Sequence, residues 1–112
     1  MFTLSTEIFK ELIKSQTAGE ARVLATVSET SGSTPRSTGA IMLLRPDGTF
    51  AGTIGGGCGE AEVWQSAMET MLDGESRTVV VDLTEPTEGE DKICGGIMNV
   101  FVERIAPSQI IN

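Results

Sequence analysis

The sequence predicts an α/β or α+β fold, in which a mixed β-sheet with a β-hairpin is covered by two helices. Two segments repeat apolar residues at helical spacing, and five others alternate or cluster apolar residues as strands do. A Pro46-Asp47-Gly48 turn joins two of those strands into the hairpin. With 112 residues, of which 39% are hydrophobic, we expect one domain over residues 1–112 and a core over about 5–105.

The first half of the chain supplies a helix, a strand and a loop. Five apolar residues recur at helical spacing: Leu4, Ile8, Phe9, Leu12 and Ile13. They predict a first helix over residues 6–18, with Gly19 as its stop. Residues 22–29 alternate as a strand, and residues 31–39 form a loop because they are rich in serine, threonine, glycine and proline.

The second half begins with the hairpin strands, residues 40–44 and 49–54. The glycine-rich residues 55–59 follow and lead into a second helix that ends at Gly74. Its apolar positions are Val63, Trp64, Ala67, Met68, Met71 and Leu72. Strands are predicted over residues 77–83 and 97–105, separated by an acidic loop.

Composition restricts the partners and the chemistry. The net charge of −8 argues against nucleic acid and acidic membranes, although residues 30–59 carry a local charge of +1 that tolerates an anionic ligand. No apolar stretch is long enough to span a bilayer and no secretory signal begins the chain, so we expect a cytoplasmic protein. Without histidine or tyrosine, histidine acid–base catalysis is excluded and binding is favoured over turnover.

The strongest candidate site is the glycine turn Gly55-Gly56-Gly57 followed by Cys58 at the start of a helix. Glycines let the backbone approach a ligand, and the helix start attracts an anion and favours a cysteine thiolate. The spacing matches neither a dinucleotide-binding fingerprint nor a P-loop. A tight strand-to-helix turn over a buried, inert cysteine explains the same residues.

Two further segments carry candidate ligands. The loop over residues 31–39 offers the hydroxyls of Ser33 and Thr34 and the guanidinium of Arg36, which suits phosphate or carboxylate. A surface loop of ordinary composition is the alternative.

Cys94 is the second cysteine that is followed by glycines, here Gly95 and Gly96. If Cys94 and Cys58 converge, they could form a soft-ligand site or a redox pair, but two thiols without histidine do not make a structural zinc site. Glu60 and Glu103 are carboxylates that could act as acid or base, or simply face solvent.

The ordered set of motifs resembles the N-terminal domain of the xanthine dehydrogenase accessory (XdhC/CoxI) family over about residues 5–105. The motifs are residues 32–36 with Gly39-Ala40, Asp47-Gly48, residues 52–58 with Glu60, and residues 94–96 before a strand that ends at Glu103. Many members continue into a Rossmann-like second domain, for which this sequence has no residues. Gly59 also departs from the pattern, because we expect a larger residue there and a looser helix start.

The resemblance implies a chaperone rather than an enzyme. Members bind the molybdopterin form of the molybdenum cofactor, assist its sulfuration with a cysteine desulfurase, and pass it to an apo molybdenum hydroxylase. By matched position, the cofactor would contact Ser33, Thr34, Arg36, Gly55, Gly56, Gly57, Cys58, Glu60, Cys94, Gly95 and Gly96. A metal would enter only through the bound cofactor, near Cys58 and Cys94.

We also expect a homodimer, and the chain is either a stand-alone member of the family or the partner of a separately encoded Rossmann-like domain. Two other interpretations stay open. The chain could be a thiol-redox protein that uses Cys58 and Cys94, or a regulatory domain that binds a partner protein without any cofactor.

Overall fold

The structure is a computed structural model that describes residues 4–32, 34, 38–54, 59–84 and 95–106. Its elements are α1 (Leu4–Ala18), β1 (Arg22–Gly32), β2 (Ile41–Leu44), β3 (Phe50–Gly52), α2 (Glu60–Asp73), β4 (Arg77–Asp82) and β5 (Gly96–Ile105). Both predicted helices and all five predicted strands are therefore present. In the part of the chain described, no helix has the length and apolar character needed to cross a membrane.

The five strands form one sheet in the order β3-β2-β1-β5-β4, and each pairing is antiparallel. The α+β alternative, with its hairpin and two helices, is thus confirmed, whereas the expectation of a mixed sheet is wrong. The reason lies in α2, which carries the chain from β3 at one edge to β4 at the other. β3 and β4 run in the same direction but are not neighbours, so no parallel ladder forms between them.

The strand ends differ from prediction at two places. β1 continues through Ser31 and Gly32, which pair with Ile97 and Gly96 of β5, so the predicted loop starts later than residue 31. Pairing with β5 overrides the turn-like composition of these residues. β3 ends at Gly52 rather than at residue 54, because Gly52 has a φ of +85° and leaves the extended conformation.

The main core lies between α2 and one face of the sheet. Val63 and Ala67 of α2 are completely buried there. They share a cluster with alternate residues of β1, β2, β4 and β5: Val23, Ala25, Val27, Met42, Leu44, Val79, Val81, Met98, Val100 and Val102. Because side chains alternate across a strand, the intervening residues point to the opposite face.

A smaller core lies on that opposite face, where α1 packs. Ile8 and Leu12 of α1 contact Leu24 of β1 and Leu43 of β2. α1 lies against β2 and β3. The outer strand β4 remains exposed on this face, and Val80 has 57% of its surface accessible.

An ion network fixes α1 to the sheet. The Glu11 carboxylate accepts hydrogen bonds from Arg45 Nε at 2.8 Å and Arg45 Nη2 at 2.9 Å, and a third from Arg22 Nε at 3.1 Å. The bonds from Arg45, and less strongly those from Arg22, hold the pKa of Glu11 below its ordinary value. The network therefore stabilises α1 on β1 and β2 as long as Glu11 is ionised.

Candidate functional site

The strand directions bring the predicted binding segments to one end of the sheet. β1, β3 and β4 run the same way and end there, while β2 and β5 begin there. The chain around Arg36 joins β1 to β2, that around Cys58 joins β3 to α2, and that around Cys94 joins β4 to β5. We call this end of the sheet the loop edge. Its described residues are Gly32, Thr34, Thr53, Ile54, Gly59, Glu60, Leu83, Gly95 and Gly96.

Glu60, which follows the glycine turn, is hydrogen-bonded to the two residues that precede it. It is the first residue of α2, and its Oε2 accepts a hydrogen bond from the Thr53 hydroxyl and one from the Ile54 N–H at 3.3 Å. Ile54 is itself fully buried in the main core. One carboxylate oxygen therefore joins the residues just before the turn to the residue just after it. This oxygen therefore has a structural role. A contact between Glu60 and a cofactor stays a prediction.

Gly59, at the other end of the turn, is required by conformation and by space. It caps α2 with a φ of +75°, and a Cβ added to it would overlap Cγ1 of Val81. Its carbonyl accepts the first helical bond, from the Val63 N–H at 3.2 Å. Glycine thus lets the start of α2 lie directly against β4 in this chain, and the structure gives no sign of the looser helix start that we expected, while the larger residue expected from the family pattern stays a prediction.

The glycines after Cys94 attach to the same strand. The Gly95 N–H donates to the Leu83 carbonyl at 2.9 Å, and the Leu83 N–H donates to the Gly96 carbonyl at 2.8 Å. Gly32 packs closely against Gly95 and Gly96, because a Cβ at Gly32 would lie 2.9 Å from the Gly95 carbonyl oxygen. The backbones of β1 and β5 thus approach each other here in a way that side chains would prevent.

The two cysteine-bearing segments therefore have neighbouring attachments. Gly59, which follows Cys58, contacts Val81 of β4, and Gly95, which follows Cys94, bonds to Leu83, which lies two residues further along the chain, directly after β4. Two residues along a strand correspond to roughly 7 Å. Val81 and Leu83 also share the buried face of β4 that meets α2. Both segments consequently leave the sheet from the same corner.

Several predicted site residues lie outside the described residues: Ser33, Arg36, Gly55, Gly56, Gly57, Cys58 and Cys94. Their roles, and the convergence of the two thiols, stay predictions. Thr34 is described as half-buried and has an interaction partner. Glu103 lies seven residues along β5 from Gly96, about 24 Å at the strand repeat, and is remote from the loop edge.

The start of α2 combines opposing electrostatic effects on an anion. Its cap residue is Gly59, which has no side chain to cap the helix, and the carboxylates of Glu60 and Glu62 in the first turn repel a negative ligand. The first backbone N–H groups of a helix lack internal partners, and its dipole makes this end positive. Arg45 raises the local positive charge in the sequence but is bound by Glu11 and Thr49, so it is not available to a ligand at this edge.

Sequence reasoning missed Thr53 and Val81. Thr53 precedes the turn and has no motif of its own, although a hydroxyl seven residues before a helix-starting glutamate is the available signal. Val81 looks like any buried strand residue, and only the structure shows that its methyl group sets the size limit at Gly59.

Comparison with known proteins gives a consistent result. The sequence model of the XdhC and CoxI family matches residues 15–82, which include the Arg36 loop, the glycine turn, Cys58 and Glu60 but not Cys94. The molybdenum cofactor insertion chaperone PaoD of Escherichia coli K12 is 29% identical over 102 residues, which are 91% of this chain and 32% of PaoD. A protein of Bacillus subtilis described as a probable xanthine dehydrogenase subunit is 36% identical over 91 residues, 77% of this chain and 27% of that protein.

Among solved structures, a xanthine dehydrogenase from Bacillus halodurans superposes with a TM-score of 0.73 at 33% identity. The superposition covers 85% of this chain and 29% of that one. The chain therefore spans about a third or less of the length of these relatives. The match to the family model covers more than half of the chain, so this protein belongs to the XdhC and CoxI family.

Proposed function

We propose that this chain is a molybdenum-cofactor-binding accessory domain that assists the maturation of a xanthine dehydrogenase-type molybdenum hydroxylase. The observation that carries the proposal is that Gly59 and Gly95, the residues after Cys58 and Cys94, attach to Val81 and Leu83 at the end of β4. Family membership and the similarity to an insertion chaperone support the same function.

The proposed cargo is an anion with a soft metal end, and each part of the site has a proposed role in holding it. The uncapped start of α2 offers backbone N–H donors for a phosphate, as helix N-termini commonly do. In the proposal, Arg36, with Ser33 and Thr34, adds a planar cation and hydroxyls, and the Cys58 and Cys94 thiols lie nearest the metal or its dithiolene. Gly55, Gly56, Gly57, Gly95 and Gly96 let the backbone approach the cargo closely.

The role of Glu60 in this proposal is to hold the turn in place. Because its carboxylate joins Thr53 and Ile54 to α2, the ends of the glycine turn are fixed before the cargo arrives. A binding loop whose ends are fixed loses less conformational entropy on binding than a free one. This preorganisation suits a chaperone, which must hold its cargo and then release it without chemistry of its own.

The proposed partners follow from this function. The domain would receive the cofactor, keep it while a cysteine desulfurase supplies sulfur, and deliver it to an apo-hydroxylase in the cytoplasm. We propose that it acts as a homodimer and together with a Rossmann-like domain of the same family; the chain spans about a third of the length of its relatives.

Cofactor titration tests the proposal. Purified wild-type chain is mixed with molybdenum cofactor released from a hydroxylase, and binding is followed by quenching of the pterin fluorescence. A Cys58→Ala/Arg36→Ala double variant should bind at least about tenfold more weakly, because it loses a charge-assisted contact and a soft ligand. Lys14→Ala is the matched control, since it removes one exposed cation from α1 on the far side of the molecule.

The outcomes are distinct. Weaker binding by the double variant together with unchanged binding by Lys14→Ala supports the proposed site. No binding by the wild type contradicts the function, and undiminished binding by the double variant contradicts the site. Thiol counting after mild oxidation separates the redox interpretation, in which Cys58 and Cys94 would convert reversibly to a disulfide without cofactor.

A further inference from the structure

β4 is an edge strand whose outer side has no partner among the residues described. The sheet ends with β4 on one side and with β3 on the other. β3 has only three residues, which is too short to accept another strand well, whereas β4 has six. An unpaired edge of this length is a template for a further strand.

The backbone groups of β4 that face outward can be identified. Leu83 directly follows β4; its N–H donates to Gly96 of β5, and its carbonyl accepts from Gly95, which directly precedes β5. Backbone groups alternate in direction along a strand, so those of the odd-numbered residues of β4 point to β5. The N–H and carbonyl groups of Thr78, Val80 and Asp82 therefore point away from the sheet.

The side chains of β4 do little to block pairing. Residues 78–81 are all β-branched, which is the composition that strands favour. Charged residues often protect exposed edges, but here Arg77 turns toward α2, where it binds Asp73 at 2.7 Å and Thr70 at 2.7 Å. Val80 at the centre of the strand is 57% exposed.

We propose that β4 pairs antiparallel with β4 of a second copy of this chain, about a two-fold axis that passes through Val80. Val80 then lies opposite the partner's Val80, and Thr78 lies opposite the partner's Asp82. Residues opposite each other must share a face under this symmetry, so registers shifted by one residue are excluded. A shift by two leaves outward backbone groups unpaired, whereas this register pairs those of all three residues.

The contacts made by side chains agree with this register. The two Val80 side chains meet at the axis and bury exposed apolar surface. Each Asp82 carboxylate lies beside a threonine hydroxyl and away from the partner's Asp82, so like charges are not opposed. The two sheets become one continuous antiparallel sheet, and each α2 stays on its own half of the same face.

The first experiment measures mass. Sedimentation velocity of the full chain should show a dimer that Val80→Lys dissociates at least about tenfold more readily, since the variant places two ammonium groups together at the axis. Val80→Thr keeps the branched shape and should remain dimeric. Leu72→Lys adds the same charge to an exposed residue of α2 and is the matched control. Circular dichroism confirms that each variant is folded.

The second experiment tests the register by cross-linking. In a Cys58→Ser/Cys94→Ser chain, a bismaleimide with a two-carbon spacer should join two copies of Val80→Cys, whose Cα atoms lie about 5.5 Å apart in the proposed pairing. Thr78→Cys should not react in this way, because its two Cα atoms lie about 14 Å apart.

A monomeric wild type overturns the proposal, as does a dimer that Val80→Lys leaves intact or equal cross-linking through Thr78→Cys. The pairing gives the proposed homodimer its interface and is tested by mass and cross-linking alone. Its failure would therefore leave the cofactor-binding proposal standing.

Discussion

Replacing Gly59 with alanine tests how α2 is placed against β4. Gly59 has a φ of +75°, and holding an alanine in this left-handed conformation costs about 1–2 kcal/mol. The new Cβ also overlaps Cγ1 of Val81, and such overpacking adds about 1–3 kcal/mol. Alanine also lowers the conformational entropy of the unfolded chain, which offsets about 0.4–1 kcal/mol of this cost. We therefore expect Gly59→Ala to lower the free energy of unfolding by about 2–4 kcal/mol.

Gly19 provides a control that separates the two causes. It has nearly the same φ, +76°, but a Cβ added there meets nothing within 4 Å. Gly19→Ala should therefore cost only the conformational part, about 1 kcal/mol. Urea unfolding of both variants at constant pH gives the difference directly, and we expect Gly59→Ala to be less stable than Gly19→Ala by about 1–3 kcal/mol.

A double variant checks that Val81 is the residue that Gly59 must avoid. Val81→Ala removes the overlapping methyl group, so Gly59→Ala should cost at least about 1 kcal/mol less in that background than in the wild type. Equal stabilities of the Gly59 and Gly19 variants, or additive effects in the double variant, would refute the reasoning. Val81 would then not limit the size of the residue at position 59.

Two further predictions concern carboxylates. Glu60→Ala removes the acceptor of the Ile54 N–H and should lower the free energy of unfolding by about 1.5–3 kcal/mol, whereas Glu60→Gln keeps an oxygen there and should retain most of the stability in the same urea titration. Glu11 has a pKa held below its ordinary value by Arg45, so its contribution to stability is complete above about pH 4.3 and is lost as the pH falls through the lower folded-state pKa. Urea unfolding between pH 7 and pH 3 should show a smaller loss for Glu11→Gln than for the wild type, and parallel curves would contradict this role.

The sequence predicts the local elements well because each depends on nearby residues. Helical spacing places α1 and α2, and Gly74 ends α2 with a φ of +75° as its position suggests. The antiparallel sheet could not be predicted in this way, because it depends on α2 crossing from one edge strand to the other. The full length of β1 could not be predicted from the sequence either, since Gly32 is typical of a loop and becomes a strand residue only by pairing with Gly96.

The sequence predicts the motifs of the candidate site but not the contacts that hold them in place. The glycine turn and the two cysteines are visible as motifs, and strand direction brings their flanking residues together. The hydrogen bond from the Thr53 hydroxyl to the Glu60 carboxylate could not be predicted, because a glutamate at the start of a helix is ordinarily explained by the helix dipole. The space limit at Gly59 depends on a single methyl group of a distant strand, which no local pattern encodes.

The position of β5 affects how the chain folds during synthesis. It is the last strand in sequence, yet it lies between β1 and β4 and pairs with both. Until residue 105 has left the ribosome, the nascent chain holds β1, β2 and β3 as a three-stranded piece, and β4 can meet that piece through packing on α2 but has no neighbouring strand. The pairing of Arg22 with Ile105 closes a loop of most of the chain, and such non-local contacts form slowly. The sheet therefore cannot be completed before β5 has been synthesised, and the edge of β1 stays exposed to other nascent chains until β5 arrives.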